Sequence, residues 1–370
     1  MTTAIPYRLI ISGGGTGGHI FPAIAIANAF RERHPDAHVL FVGARGRMEM
    51  TRVPEAGYPI IGLWIAGIQR RFTVSNLLFP IKLIVSYVRA MVIVKRFKPH
   101  AVIGTGGFAS GPMMMAATRF KVPSLIQEQN SFAGLANKQV ADKVSKVCVA
   151  YEGMEKYFPA GKLVLTGNPV RKDILSVNEK AEKGLSHFGF EGTHKTLLVV
   201  GGSLGARTIN ESMLGGIEKL LDAGVQVIWQ TGKAYIDVVQ DQLAKYDKRR
   251  LRVFDFLKEV DLAYACADVV ISRSGALAVS ELCIAQKPCI LVPSPNVAED
   301  HQTRNAQALV SRDAAMMVPD KEARTILVDE ALKLLFDEQR CDKLRVNIGQ
   351  LARPHATEHI VDEIEKLIIV

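Results

Sequence analysis

Three glycine-rich stretches follow short apolar runs in this chain: Gly13-Gly-Gly-Thr-Gly-Gly18, Gly104-Thr-Gly-Gly-Phe-Ala-Ser-Gly-Pro112 and Gly201-Gly-Ser-Leu-Gly-Ala206. Glycine lets the backbone approach a ligand closely, and the N–H groups that open a following helix attract phosphate oxygens. The chemistry to expect is therefore recognition of phosphate esters. Gly13, Gly15 and Gly18 satisfy the G-x-G-x-x-G spacing of a dinucleotide site. That site needs an acidic residue at the end of the second strand, and the run His38-Val-Leu-Phe-Val-Gly-Ala44 has none. An NADP site using Arg45 or Arg47 is the alternative. One dinucleotide does not need three loops, whereas two substrates that each carry a diphosphate would use several. No Gly-Lys-Ser/Thr follows any loop, which excludes a P-loop nucleotidase.

A fourth segment, Ser272-Arg-Ser-Gly-Ala-Leu-Ala-Val-Ser-Glu-Leu282, reads as a strand end, a glycine turn and a helix start. Glu281 can accept two hydrogen bonds from a ribose diol while the N–H groups before it hold phosphate, a nucleotide-sized arrangement. The competing reading is an ordinary acid early in a helix, favoured by the macrodipole. Next, Pro293-Ser-Pro-Asn-Val-Ala-Glu-Asp-His-Gln-Thr-Arg-Asn-Ala306 is a polar loop opening a helix, with Asp300 and Gln302 as candidates to hold a sugar.

These residues need a scaffold that ends strands at loops and starts helices from them. β-Branched runs alternate with helical patterns throughout, predicting an α/β fold with parallel sheets. The predicted strands are Arg8–Ile11, His38–Val42, His100–Ile103, Ser124–Gln127 and Val144–Val149, then Thr196–Val200, Val225–Gln230, Arg252–Phe256, Asp268–Ser272, Cys289–Val292 and Ala315–Val318. A helix is predicted over Pro22–Arg33, with Pro22 in its first turn. Leu9-Ile-Ile-Ser-Gly-Gly-Gly is echoed by Leu197-Leu-Val-Val-Gly-Gly-Ser, close to half the chain away. The echo predicts two Rossmann-like domains, residues 1–169 and 170–355, with the ligand between the carboxyl ends of their strands. The linker is expected near Gly167-Asn-Pro-Val-Arg171, and the amphipathic segment 356–370 is expected to pack back on the first domain.

Charge divides the same way: residues 1–169 carry 20 Lys and Arg against eight Asp and Glu, residues 170–370 carry 26 against 29. No acid lies between Glu55 and Glu128, which points to an anionic partner of the first half, nucleic acid or a membrane surface. Nucleic acid is set aside because neither aromatic–basic interleaving nor a nucleic-acid motif is visible. Leu77–Val94 is apolar enough to raise a transmembrane helix, but Pro80, Lys82 and Arg89 inside it argue against spanning. With Trp64, Leu77, Leu78 and Phe79 beside Arg70, Arg71, Lys95 and Arg96, it reads as an apolar patch rimmed by positive charge on an anionic leaflet; a purely buried helix is the alternative. The five scattered cysteines and the absence of a signal-peptide pattern fit a reduced cytosol.

Gly14–Pro22, Thr105–Pro112, Glu128-Gln-Asn130, Gly167–Arg171, Gly201–Ala206, Arg273–Glu281 and Ala298–Ala306 together resemble the motifs of the GT-B glycosyltransferases, in their order and over nearly the whole chain. Within that family the resemblance is to enzymes moving N-acetylglucosamine from UDP-N-acetylglucosamine to the 4-hydroxyl of the muramoyl sugar of lipid I, with inversion. It implies that the second domain holds the nucleotide sugar and the first the lipid diphosphate. Carried over, Glu281 binds the ribose, while Ser203 and the run Ala276, Leu277, Ala278, Val279 and Ser280 surround the diphosphate. Leu257 reads uracil through its backbone, and Gln302 contacts the sugar. Thr16, Gly17, Gly18 and Asn130 contribute from the first domain, with Arg171 at the hinge; Gly14, Gly15, Thr105, Gly106 and Gly107 line the acceptor side. Inversion needs a base near the acceptor hydroxyl: His19 leads and Glu128 is second, while His19 as a helix cap or acceptor-binding group stays open. Without an Asp-x-Asp motif, helix N-termini are expected to neutralise the leaving diphosphate, and no metal or cofactor is assigned. The implied setting is peripheral attachment at the cytoplasmic face of the inner membrane, with other cell-wall synthesis proteins as further partners.

Overall fold

The computed structural model describes residues 6–67, 78–202 and 204–368. They form two compact units, Met1–Val170 with Pro354–Val370, and Arg171–Arg353.

The first unit is built on β1 (Arg8–Gly13), β2 (His38–Ala44), β3 (Ile60–Leu63), β4 (Ala101–Gly106), β5 (Ser124–Glu128), β6 (Lys146–Val149) and β7 (Leu163–Leu165). The sheet order is β3-β2-β1-β4-β5-β6-β7, with every pair parallel. Successive strand residues alternate between two cores: Ile10, Leu40, Val42 and Val102 face one layer, Leu9, Ile11, Phe41 and Ile103 the other. Burial on both faces is why these strands read as continuous apolar runs. Its helices are α1 (Gly17–Arg33), α2 (Glu49–Glu55), α3 (Phe79–Phe97), α4 (Ser110–Arg119) and α5 (Leu135–Val140). Two strands absent from the sequence reading, β3 and β7, are the sheet's edges. Ile60-Ile-Gly-Leu63 has a glycine inside and β7 spans three residues, so neither produces a strand-length pattern. Helix α1 begins five residues before the expected start. The Thr16 carbonyl accepts the His19 and Ile20 N–H groups, so Pro22 lies inside the helix and His19 in its first turn.

The second unit repeats the plan with β8 (Thr196–Val200), β9 (Gln226–Gln230), β10 (Leu251–Phe254), β11 (Val269–Ser272), β12 (Cys289–Leu291) and β13 (Met316–Met317), ordered β10-β9-β8-β11-β12-β13 and all parallel. Its helices are α6 (Ala181–Phe188), α7 (Arg207–Asp222), α8 (Ile236–Gln242), α9 (Val260–Cys266), α10 (Ala276–Ala285), α11 (His301–Val310), α12 (Asp320–Phe336) and α13 (Glu338–Gln350). Leu197, Val199, Trp229 and Ile271 pack under Ile209, Met213, Ile217 and Leu220 of α7 and Leu327 and Ala331 of α12.

The last helix, α14 (Ala356–Ile368), belongs to the first unit. Ile360, Val361 and Ile364 are fully buried with Ile26, Ala27 and Phe30 of α1. Arg33 reaches Asp362 and Glu365, and His34 reaches Glu365, at 2.6–3.0 Å. Such partly exposed pairs contribute at most about 1 kcal/mol each, against about 1.5–3 kcal/mol for each buried aliphatic side chain. Apolar packing holds α14 in place.

Candidate active site

A doubly wound sheet binds ligands where its strand order reverses, at the carboxyl ends of the two strands flanking that point. In the first unit those strands are β1 and β4, whose ends carry Gly13–Gly18 and Thr105–Gly107; in the second they are β8 and β11, whose ends carry Gly201–Ala206 and Arg273–Ala276. Both pairs of sequence motifs thus fall at switch points.

The two loops of the first unit are laced together. The Gly14 N–H donates to the Gly106 carbonyl at 3.2 Å, and the Thr105 hydroxyl to the His19 carbonyl at 2.9 Å. Gly107 (φ +87°) sits so close that a Cβ there would lie 2.1 Å from the Gly14 oxygen. The His19 ring lies on Gly106, where a Cβ would meet Nε2 at 3.0 Å. Its Nδ1 is 3.0 Å from the Gly14 carbonyl oxygen and 3.3 Å from the Thr16 hydroxyl. A carbonyl has no proton to give, so that contact places the proton on Nδ1 and makes Nε2 the basic nitrogen of the neutral ring. Behind the loop stands Glu49, fully buried, accepting from the Gly15 N–H at 3.0 Å and the Ala44 N–H at 2.9 Å. Sequence reading passed over Glu49 because an acid opening a short helix is commonplace and its partner lies 34 residues away.

Glu128 does not suit the base role. It is buried at the end of β5, and its carboxylate accepts from the Asn130 N–H and side chain, the Gly134 N–H and the Asn137 side chain, at 2.9–3.3 Å. Both oxygens are committed to holding the loop after β5, and protonation would break that set. Asn130 is thereby oriented by Glu128. Gln129, quoted in the Glu128-Gln-Asn130 motif but given no role there, donates to the Thr105 carbonyl at 2.8 Å and joins the Gln127–Asn168 amide pair.

In the second unit, α10 starts at Ala276 behind Gly275, whose extended backbone (φ −64°, ψ 146°) caps with no side chain. Nothing lies within 4 Å of where a Gly275 Cβ would be. The N–H groups of Ala276, Leu277 and Ala278 precede the helical ladder and point from this end. Val279 contributes nothing comparable: its N–H bonds the Gly275 carbonyl and its side chain is in the core. The Ser280 hydroxyl donates back to the Ala276 carbonyl at 3.1 Å. Glu281 is largely withdrawn from solvent, yet its partners are distant: Arg171 Nε at 3.5 Å and the Tyr264 hydroxyl at 3.5 Å. Burial pushes its carboxyl above the usual range, with Arg171 opposing; burial and Glu281 together push the Tyr264 hydroxyl well above its own.

Around this helix start, the Gln302 carbonyl oxygen accepts the Ser294 N–H and its backbone carbonyl accepts the Ser274 hydroxyl, so toward a sugar its amide acts as a donor. Asp300 accepts from Thr303 at 2.7 Å, and it and Glu299 hold left-handed φ values of +51° and +54°. The Leu257 N–H donates to the Gln230 side chain at 3.0 Å. Arg273, missed as a site residue, bonds the Val292 and Pro293 carbonyls and Asp320, which also accepts from Thr208. It ties the sugar loop to the start of α7. Ser203 lies outside the described residues, as do Arg70, Arg71 and Leu77. Among the described residues no cluster of three or more His, Cys, Asp or Glu side chains suits a metal ion.

Helix α3 buries only Ser86, Ala90, Ile93 and Val94. Leu78, Ile81, Ile84, Val85, Val88 and Val92 are exposed on the opposite stripe, Ile84 by 63%. Phe79 is half-buried, Lys95 and Arg96 are exposed, and Lys82 stands over the ring of exposed Trp64 at 5.7 Å. The buried-helix alternative does not hold. No described helix is long and apolar enough to cross a membrane.

Residues 9–149 match the glycosyltransferase family 28 N-terminal domain and residues 196–353 the family 28 C-terminal domain. The chain is 55% identical over 363 residues, 98% of its length and 97% of the relative's, to the UDP-N-acetylglucosamine–N-acetylmuramyl-(pentapeptide) pyrophosphoryl-undecaprenol N-acetylglucosamine transferase of Cytophaga hutchinsonii. It is 54% identical to the enzyme of that name from Parabacteroides distasonis, covering 98% of each chain. The crystal structure of Acinetobacter baumannii MurG is similar with a TM-score of 0.80 at 29% identity, over 98% of this chain and all of that one. Two doubly wound units with their motifs at both switch points, and likeness over nearly the full length, place the chain in glycosyltransferase family 28, among the UDP-N-acetylglucosamine–N-acetylmuramyl-(pentapeptide) pyrophosphoryl-undecaprenol N-acetylglucosamine transferases.

Proposed function

We propose that the chain transfers N-acetylglucosamine from UDP-N-acetylglucosamine to the 4-hydroxyl of the muramoyl sugar of lipid I, with inversion, the second unit holding the donor and the first the acceptor. The observation that carries this reading is Glu281: a withdrawn carboxylate with two long contacts, five residues after an uncapped helix start with open space before it. The ribose hydroxyls satisfy the carboxylate, and the diphosphate satisfies the α10 N–H groups. Gln302 donates to the sugar. In the reaction the acceptor oxygen bonds the anomeric carbon while the bond from that carbon to the phosphate oxygen breaks. UDP leaves with the electron pair, its new charge stabilised by the α10 terminus, and the acceptor proton passes to His19 Nε2. Gly106, without a side chain, lets the His19 ring lie against the acceptor loop.

The exposed stripe of α3 suits a peripheral site on an anionic leaflet at the cytoplasmic face of the membrane, where a lipid-linked acceptor is met. Apolar side chains enter the interface and Lys82, Arg89, Lys95 and Arg96 meet the headgroups. Vesicle sedimentation checks this: binding should fall with salt and fall further in Ile84→Ser/Val88→Ser, and equal binding to neutral and anionic vesicles would contradict it. Activity is tested by radiolabel transfer from UDP-N-acetylglucosamine to a lipid I analogue. UDP should also raise the melting temperature and NADPH should not; the reverse result would return the first glycine loop to dinucleotide binding.

A further inference from the structure

Two hydrogen bonds of the first glycine loop belong to one peptide group. The N–H that Glu49 accepts is that of Gly15, and the carbonyl that His19 Nδ1 contacts is that of Gly14; both sit on the peptide linking Gly14 to Gly15. The order is imidazole Nδ1–H to peptide oxygen, then peptide N–H to carboxylate, with both steps at 3.0 Å. We propose that Glu49 is the positioning residue for His19, acting through the Gly14–Gly15 peptide to fix the ring's Nδ1–H tautomer and aim Nε2 toward the acceptor loop.

The physical reason lies in how a peptide group transmits charge. A carboxylate accepting its N–H polarises the amide, so the carbonyl becomes a stronger acceptor and holds the Nδ1 proton more firmly. A carboxylate directly behind a catalytic histidine does the same work in one step; here a peptide stands between. The surroundings fix the geometry. Glu49 has no exposure to solvent and its other oxygen is anchored by the Ala44 N–H at the end of β2. A Cβ on Gly14 would lie 2.2 Å from a Glu49 oxygen and one on Gly43 2.5 Å from its Cγ, so both glycines are what let the carboxylate reach the peptide. The planar trans peptide presents its carbonyl and N–H in opposite directions, one to each side chain, and the loop turns at Gly15 with φ +86°. The Gly15 N–H is thus spent on Glu49 and not offered to a ligand.

The inference rests on the reading of His19 as the base, and the test separates the two. Nitrogen-15 histidine spectra of the full chain, with the His19 signal identified by its absence from His19→Ala, should show the Nδ1–H tautomer, and Glu49→Gln should shift it toward the other form. Glu49→Gln should lower kcat on the order of tenfold or more, less than loss of the base itself, with the KM for the donor unchanged. In a His19→Ala background it should cost nothing further. An Nε2–H tautomer in the unsubstituted protein, which needs no variant to fold, would overturn the proposal. So would an unshifted tautomer in Glu49→Gln, or losses that multiply in the double variant. Undiminished turnover in His19→Ala defeats the base assignment instead, and the tautomer then judges the Glu49 contact alone.

Discussion

The two units place glycine-rich turns at equivalent switch points but leave them in opposite electrostatic states. At the end of β1 the Gly14–Gly15 turn is held by the protein itself: Glu49 takes the Gly15 N–H, Gly106 takes the Gly14 N–H and His19 takes the Gly14 carbonyl. At the end of β11 the helix start has no side-chain cap, open space lies before Gly275, and among the described residues Glu281 has partners no nearer than 3.5 Å. One fold thus yields a corner held by internal hydrogen bonds, which the proposed function makes catalytic, and an open helix start, which it makes the ligand seat. Polar groups satisfied in advance hold geometry, whereas those left short of partners gain most when a ligand arrives.

The largest effect that would break this contrast concerns His19. His19→Ala should lower turnover about 10²–10⁴-fold while UDP affinity, measured calorimetrically, stays unchanged. If the KM for the lipid acceptor rises and turnover is spared, the internally held corner binds rather than catalyses.

Gly107→Ala comes next, because it attacks the lacing of the two first-unit loops. At φ +87° its Cβ would stand 2.1 Å from the Gly14 oxygen, which is backbone and cannot swing away. Left-handed strain and overlap together should destabilise the first unit by about 2–5 kcal/mol. Thermal unfolding checks this, and an unchanged midpoint would show that the loops are not rigidly held.

How much of this was readable in advance follows from the range of the interactions. The glycine loops, the strands that end at them and the paired domains all announce themselves locally, through apolar runs and glycine spacing. The strand cores read cleanly because both sheet faces are buried; the edges β3 and β7 did not, being short and interrupted. Glu49 was illegible because nothing near it in sequence indicates that its carboxylate reaches Gly15. Glu128 looked available as a base because its donors, Asn130, Gly134 and Asn137, converge only once the following loop folds over it. The Leu257 N–H was likewise claimed from a distance, by Gln230. Type and spacing identify which groups a site contains, while which of them are already spent is decided by tertiary partners.

On the receptive side, Glu281→Ala should weaken UDP binding by about 1.5–3 kcal/mol, the cost of a lost charge-assisted acceptor. A pH dependence accompanies it. Arg171, Tyr264 and Asp173 face this carboxyl, and burial keeps its pKa above the usual range. Under the proposed function the ionised form accepts the ribose, so UDP affinity should decline as pH falls, beginning above the pH at which an ordinary carboxylate protonates. The stability sign is opposite: a raised carboxyl pKa costs folded-state stability as pH rises through it, so Glu281→Gln should lose affinity while gaining stability relative to the unsubstituted chain at high pH. An affinity that declines only where an ordinary carboxylate protonates would remove the burial argument.

The smallest effect is the sharpest partner to Gly107. Gly275 has an extended backbone that alanine adopts without strain, and nothing lies within 4 Å of the added methyl. Alanine is a poorer N-cap than glycine, but it also narrows the unfolded ensemble by about 0.4–1 kcal/mol, and the two effects oppose. Gly275→Ala should therefore leave the melting midpoint within about 2 °C of the unsubstituted chain. The methyl enters the space before the α10 N–H groups, which the proposed function gives to the diphosphate, so UDP affinity should fall although stability does not. A loss of stability matching that of Gly107→Ala would mean that this turn too is held by the protein, and the distinction between the two switch points would collapse.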